Sequence, residues 1–328
     1  MNRRKPPVTS MLLARRAGAL KRHLPVAMDG DARGVHQARV ASRRLREAVP
    51  VLTTGIKGTK AKKARGKIRR LTRALGTVRE LDVTLLIIDD LTARETLPRA
   101  ALEEVRGHVV AEREKRRDVM LKRLSHVNIE KLDKRLLTMG EVLAQANGDA
   151  WRKALGSRLV KRAKALAAAM TDAGRMYSPE HLHKVRIAAK KLRYGMELAF
   201  DAGVKSAAAP LRTVKRVQET LGKLHDLQVL QSHVATVQAE PKAQMPLNAG
   251  LDIVARALED QCRHLHARYV AGLSRLAAVV AETRSIVVPA LVSRPRRQAR
   301  AIKMSLKARP AGERAHEEPT AVAVGQQK

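Results

Sequence analysis

Aromatic residues and cysteine are scarce in this sequence. Its 328 residues include one tryptophan, three tyrosines, one phenylalanine and one cysteine. Proteins that bind single-stranded nucleic acid usually stack bases on aromatic rings, so this scarcity argues against a base-stacking surface. Cys262 has no second cysteine with which to form an internal disulfide or a cysteine-based metal site, which indicates a reducing compartment.

Acidic residues and long apolar runs are also few. The chain has 31 Asp and Glu against 66 Lys and Arg, a formal net charge of +35. The longest apolar candidate, residues 83–88, ends at Asp89 and Asp90, far short of the ~18 residues of a membrane span. The N-terminus lacks a long apolar core and a small-residue cleavage site. We therefore expect a soluble, cytoplasmic protein with a polyanionic partner: nucleic acid, an acidic membrane surface or polyphosphate.

What is abundant favours helices. Ala, Leu, Arg, Lys, Glu and Val dominate, and apolar residues make up 45% of the chain, enough for a hydrophobic core. Ser178 and Pro179 have the form of an N-cap followed by proline at the first helical position. Residues 1–9 are expected to be a flexible N-terminus, and 289–328, where helical periodicity is lost, a disordered basic tail.

The sequence contains an internal repeat. Residues 35–52 (VHQARVASRRLREAVPVL) align with 182–199 (LHKVRIAAKKLRYGMELA) at an offset of 147. Residues 67–83 align with 213–229 at an offset of 146. This period is too long for a solenoid and predicts a duplicated helical protein.

The repeat predicts two halves, residues 10–147 and 148–288, each with a basic helix face. On a helical wheel, the basic residues of the first copy fall within an arc of about 80°, and apolar residues occupy the opposite side. These residues, with their counterparts in the second copy, are His36, Arg39, Arg43 and Arg46, then His183, Arg186, Lys190 and Arg193. Arg44 lies off this arc. A single basic face is usually just solvated, but two matching faces without an acid favour binding of an anion.

The second repeated segment carries two glycines and two acids. If 67–80 is one helix, Gly76 and Gly222 are expected to permit close approach of neighbouring helices. Glu80 and Asp226 have two interpretations of equal weight: they orient nearby Arg or His side chains, or they form ordinary surface ion pairs.

The doubled pattern [VL]-H-x-x-R-[VI]-A-x-[RK]-[RK]-L-R, each followed by L-G-x-x-[RH]-[ED]-L, resembles the CHAD family over about residues 10–285. The resemblance implies an all-α fold of two pseudo-twofold-related four-helix bundles with a basic groove or channel between them. It also implies binding of inorganic polyphosphate and localisation to polyphosphate granules. Since the repeated motifs contain no carboxylate cluster, P-loop or Gly-rich phosphate cradle, we expect this binding to be non-catalytic, with no cofactor or metal. The implied binding residues are His36, Arg39, Arg43, Arg44, Arg46, Arg69, Arg70, Arg79, His183, Arg186, Lys190, Lys191, Arg193, Lys215, Arg216 and His225.

Some CHAD proteins also contain a CYTH domain, marked by an alternating E-x-E-x-K pattern on a strand. Residues 112–115 (EREK) lie in a helical stretch with different spacing, so the chain resembles a stand-alone CHAD protein. Affinity for polyphosphate should fall steeply with salt, with a log–log slope near −0.7 for each phosphate neutralised. Protonation of His36 and His183 should tighten binding as the pH falls toward 6.

Three other functions stay open from the residues alone. A nucleic-acid-binding or compacting protein would suit the charge and the basic tail, but not the lack of stacking residues. A metal-dependent polyphosphate-processing enzyme would need carboxylate ligands, and only Glu80 and Asp226 lie near the basic face. The tail alone could bind an anionic membrane surface.

Overall fold

The chain forms a set of packed α-helices. The computed structural model describes residues 6–146, 148–240 and 245–293, and within these ranges no strand occurs. The helices are α1 (Val8–Met28), α2 (Ala32–Leu52), α3 (Ala61–Ala74), α4 (Gly76–Ala93), α5 (Arg99–Ser125), α6 (Ile129–Gln145), α7 (Ala150–Ala173), α8 (Pro179–Asp201), α9 (Ala208–Gln238), α10 (Met245–Ala271), α11 (Leu273–Glu282) and α12 (Val288–Val292). The all-α prediction is confirmed. No described helix is long and apolar enough to cross a membrane.

Capping residues explain several helix starts. The Asp31 carboxylate accepts a hydrogen bond from the Gly34 amide at the start of α2, and Asn128 Oδ1 accepts one from the Lys131 amide, 2.7 Å away, at the start of α6. At α8, Pro179 occupies the first turn as predicted. The Ser178 hydroxyl contacts His181 Nδ1 at 2.7 Å and forms no cap hydrogen bond with the helix backbone.

The expectation that 67–80 is one helix is wrong. α3 ends at Ala74 and α4 begins at Gly76, with Leu75 between them. The predicted role of Gly76 in close helix approach also needs correction: a Cβ at this position would lie 2.5 Å from Arg39 Nη1, so the glycine leaves room for a guanidinium. At Gly222, inside the continuous helix α9, a Cβ would meet no described atom within 4 Å.

The hydrophobic core consists of two clusters, and each draws on both sequence halves. The first cluster joins buried residues of α1, α2, α3 and α6 with residues of α7, α8, α11 and the first part of α9. The second is formed by α4, α5, α9 and α10, in which α4 pairs with α5 and α9 pairs with α10. The predicted arrangement of one bundle per half therefore does not describe how the core divides, because apolar side chains from the two halves interlock in both clusters.

The predicted terminal segments are shorter where the structure describes them. α1 already begins at Val8, and Thr9 is buried. α12 continues to Val292 with Leu291 fully buried, so residues 289–292 belong to the folded part and not to a tail. The rest of the predicted tail, from 294 onward, lies outside the described residues, as do residues 1–5. The helices from α1 to α12 form one compact unit.

Candidate functional site

Four helices bring titratable side chains together at one place, which we call the central cluster. α2 and α8 contribute the faces predicted to be basic, while α4 and α9 contribute the second repeated segment. The members of the central cluster are His36, Arg39, Arg43, Arg79, Glu80, His183, Arg186, Lys190, His225 and Asp226.

Contacts across the two halves define the central cluster. Glu80 Oε1 of α4 lies 3.6 Å from His225 Nε2 of α9. The His225 ring in turn lies against the His183 ring of α8, with centroids 4.9 Å apart. On the other side, Arg39 of α2 interacts electrostatically with Arg186 of α8. The repeated helices thus face one another across a shared site.

Every member of the central cluster has its repeat counterpart in the same cluster. The five matched pairs are His36 with His183, Arg39 with Arg186, Arg43 with Lys190, Arg79 with His225, and Glu80 with Asp226. The two copies of the motif therefore contribute equivalent positions to one site, in place of two separate surfaces.

The cations of the central cluster destabilise one another. Burial, followed by the charges of Arg186 and Arg43, lowers the pKa of Lys190 from 10.5 to about 7. Burial and the neighbouring Arg43 lower the pKa of Arg39 from 12.5 to about 10, although Glu80 acts in the opposite direction. A group of cations held this close, with few carboxylates to compensate, gains electrostatically from an added anion.

The pKa of the histidine at the head of each motif is also lowered. Burial lowers the pKa of His36 below its ordinary 6.5, with Arg79 and Arg39 adding to the effect. Burial likewise lowers the pKa of His183, with His225 and Arg186 adding to it. In the free protein both rings are mostly neutral at pH 6.5, and an anion bound beside them would favour protonation.

The two acids of the central cluster differ. The contact with His225 is the main cause of a lowered Glu80 pKa, so this carboxylate stays ionised beside the His225 ring. Burial raises the pKa of Asp226, although Arg186 opposes the shift. The Glu80 contact joins the two halves and the Glu80 side chain is 56% exposed, so the contact matches both interpretations made from the sequence, orientation of a neighbouring side chain and a surface ion pair.

Half of the predicted binding residues lie outside the central cluster. Arg44 pairs with Glu197 at 2.9 Å, and Arg193 Nε lies 3.6 Å from the same carboxylate. Arg46 lies beside Arg43 and Arg65. The remaining ones face other surfaces: Lys215 lines a cavity with Arg44, Arg216 lines another with Arg268, and Arg69, Arg70 and Lys191 are exposed.

The structure also adds residues that the motifs did not indicate. Glu47, at the end of the basic stripe of α2, binds Arg158 at 2.7 Å and Arg162 at 2.6 Å, both from α7. Tyr194 is 9% exposed and interacts electrostatically with Arg39. Glu47 and Tyr194 occupy equivalent positions in the two repeats. The difference between an acid and an aromatic residue at this position is the sequence feature that could have identified them.

Comparison with known proteins gives the family. The chain is similar in structure to the CHAD domain from the plant Ricinus communis, with a TM-score of 0.54 and 22% identity over 85% of this chain and 91% of that one. It is also similar to PptA from Streptomyces chartreusis, with a TM-score of 0.59 and 11% identity over 82% of this chain and 100% of that one. At these identities the two structures show the fold alone. No curated protein matches the chain. The model of the CHAD domain family matches residues 11–235, more than half of the sequence. The chain belongs to the CHAD domain family.

Proposed function

We propose that this protein binds inorganic polyphosphate at the central cluster without catalysing a reaction, and that such binding directs it to polyphosphate granules in the cytoplasm. The CHAD family is known in general for polyphosphate binding. The observation that carries the proposal is the set of matched cations from the two repeats, within which burial and neighbouring arginines lower the pKa of Lys190 and of Arg39.

Polyphosphate suits such a site because it carries about one negative charge per repeating unit and offers no base or sugar to recognise. Arginine guanidinium groups bind phosphate oxygens in a bidentate manner, and lysine acts as a compact point charge. Phosphate oxygens between Arg39 and Arg186 would screen their repulsion and restore the protonated form of Lys190. Arg46 of α2 lies between Arg43 and Arg65 of α3, and these side chains extend the positive surface for a longer chain.

The acids of the central cluster support binding over metal-dependent cleavage. A metal ligand must be deprotonated and free to turn toward the ion. Glu80 contacts His225, and Asp226 interacts electrostatically with Arg186, so both carboxylates already have neighbours within the cluster. Incubation of the protein with long-chain polyphosphate and magnesium or manganese is expected to release no phosphate, and steady release would contradict the non-catalytic assignment.

A binding titration with polyphosphate of defined length tests the proposal. The Arg39→Ala/Arg186→Ala variant loses one guanidinium from each repeat. Since a hydrogen bond to a charged group contributes about 1.5–3 kcal/mol, we expect the affinity to fall by roughly a hundredfold or more. The helical circular dichroism signal should be unchanged.

Arg175→Ala/Arg212→Ala is the matched control, because it removes the same charge from two exposed positions outside the central cluster. Its affinity should fall only a few-fold. Equal losses in both double variants would show that net charge alone governs binding. Duplex DNA provides the second control: if it displaces polyphosphate at equal phosphate concentration, the protein is a general polyanion binder and the nucleic-acid alternative is favoured.

A further inference from the structure

A cavity lies outside the central cluster. It has a volume of about 320 Å³ and is lined by α1, α2, α8 and α9. Along α8, Glu197 of this cavity is eleven residues from Arg186 of the central cluster, and along α9 Lys215 is eleven residues from Asp226. At 1.5 Å per helical residue, these pairs are about 16 Å apart along α8 and α9, whereas on α2 the lining residues Val40 and Arg44 lie next to Arg39 and Arg43 on a different face of the helix. We call it the α1–α2 cavity.

The α1–α2 cavity has an excess of positive charge. Its charged lining residues are Arg15, Arg16, Arg44, Lys215, Glu197 and Asp201. Asp201 pairs with Arg16 at 2.9 Å and with Arg15 at 3.3 Å, while Glu197 pairs with Arg44 at 2.9 Å. Four cations against two carboxylates leave two positive charges without compensation from the lining.

Arg16 is the buried polar group of this cavity. It is 6% exposed, and only its Nη2 atom binds Asp201; the buried Nε and Nη1 atoms have no hydrogen-bond partner among the described residues. Buried donors are nearly always paired, because an unpaired one loses its hydration without replacement. Arg16 therefore has two unused donors beside the cavity, and they reach an anion there only if the side chain turns toward it.

One wall of the α1–α2 cavity is apolar. Phe200 is the single phenylalanine of the chain, and it is 45% exposed where it lines the cavity together with Leu211, Val40 and Ala41. A large exposed aromatic ring next to four cations offers a flat surface on which a planar ring can stack. The lining therefore combines an anion-binding end with an aromatic one.

We propose that the α1–α2 cavity binds a small phosphate monoester that carries a flat aromatic group, the chemical class of the nucleoside monophosphates. A phosphate monoester has a charge of about −1.5 to −2 at pH 7, which matches the two uncompensated positive charges. The volume of about 320 Å³ lies within the range of small-molecule sites. This site is independent of polyphosphate binding at the central cluster.

Calorimetric titration of the full chain with adenosine monophosphate tests the proposal. Wild type should bind it, and Lys215→Ala and Phe200→Ser should each weaken binding by at least tenfold. Lys223→Ala is the matched control, since Lys223 is exposed on the same helix but does not line the cavity. Ribose 5-phosphate, which lacks the aromatic ring, should bind at least fivefold more weakly to wild type and equally well to wild type and Phe200→Ser.

Two outcomes separate this site from the central cluster. The Arg39→Ala/Arg186→Ala variant should keep its affinity for adenosine monophosphate, and Phe200→Ser should keep its affinity for polyphosphate. Loss of nucleotide binding in the Arg39/Arg186 variant would place the nucleotide in the central cluster and overturn the proposal. No binding to wild type at millimolar concentration, or equal affinities for adenosine monophosphate and ribose 5-phosphate, would also overturn it.

Discussion

Lys190 makes polyphosphate binding depend on pH in a range where few other side chains titrate. Its pKa in the free protein is about 7, because it is half-buried beside Arg186, Arg43 and Arg39. A bound polyanion favours the protonated amine and raises this value. Binding therefore takes up a proton above pH 7, and the affinity must fall as the pH rises.

The size of this effect follows from the two pKa values. If the bound polymer restores the ordinary 10.5, the affinity falls by roughly fiftyfold between pH 7 and pH 9. Lys190→Arg keeps a positive charge that does not titrate in this range, so its affinity should change little between pH 7 and pH 9. Lys190→Met should bind polyphosphate more weakly than wild type at pH 7. Its affinity, like that of Lys190→Arg, should change little between pH 7 and pH 9.

Titrations with one polymer length at pH 7, 8 and 9 measure these slopes, and Lys191→Met, at the exposed neighbouring position, should retain the wild-type slope. The stability of the free protein depends on pH in the opposite direction. Because the pKa of Lys190 is depressed by folding, the unfolded chain binds more protons, and stability rises as the pH increases from 7 toward 10.5. Equal affinity slopes in wild type and Lys190→Arg would refute this reasoning.

Two further predictions concern neighbours of the central cluster. Gly76→Ala would place a Cβ 2.5 Å from Arg39 Nη1 and should lower polyphosphate affinity about tenfold, because the guanidinium must move. Gly222→Ala should leave the affinity unchanged and raise the free energy of unfolding, measured in urea, by about 0.5–1 kcal/mol. An affinity loss shared by both variants would contradict this. Glu47→Gln should lower the free energy of unfolding by about 1–3 kcal/mol, because the Glu47 carboxylate binds Arg158 and Arg162. Urea titration measures this free energy, and a change below about 0.3 kcal/mol would show that the two ion pairs contribute nothing.

The central cluster was largely predictable because helical periodicity and duplication are both local properties of the sequence. Arg39 and Arg43 share a helix face by their spacing, and the repeat marks Arg186 and Lys190 as their equivalents. That the four meet in one place depends on helix packing, which no local pattern encodes.

The motif resemblance and the helical wheel disagreed about Arg44. Arg43 and Arg44 are adjacent in the motif, but consecutive helical residues point about 100° apart. Arg43 faces the central cluster, whereas Arg44 pairs with Glu197 in the α1–α2 cavity. The wheel had already placed Arg44 off the basic arc.

The break between α3 and α4 could not be predicted from local residues. Glycine often follows the end of a helix, and Gly76 follows Leu75, but Gly222 follows Leu221 in the same way inside the continuous helix α9. The position of Gly76 against the Arg39 guanidinium is a tertiary contact from a residue far away in the chain. The same applies to the core, where side chains of both halves interlock.

The interlocked core has a consequence for how the ligand is received. Separate lobes would be able to swing apart about a hinge, so that closing them on a polymer would cost orientational entropy. Here the helices that carry the opposing guanidinium groups are held in place before the polymer arrives, because their apolar side chains belong to shared clusters. For the same reason, fragments cut near residue 147 should not fold separately, because each half needs apolar side chains of the other to complete its core.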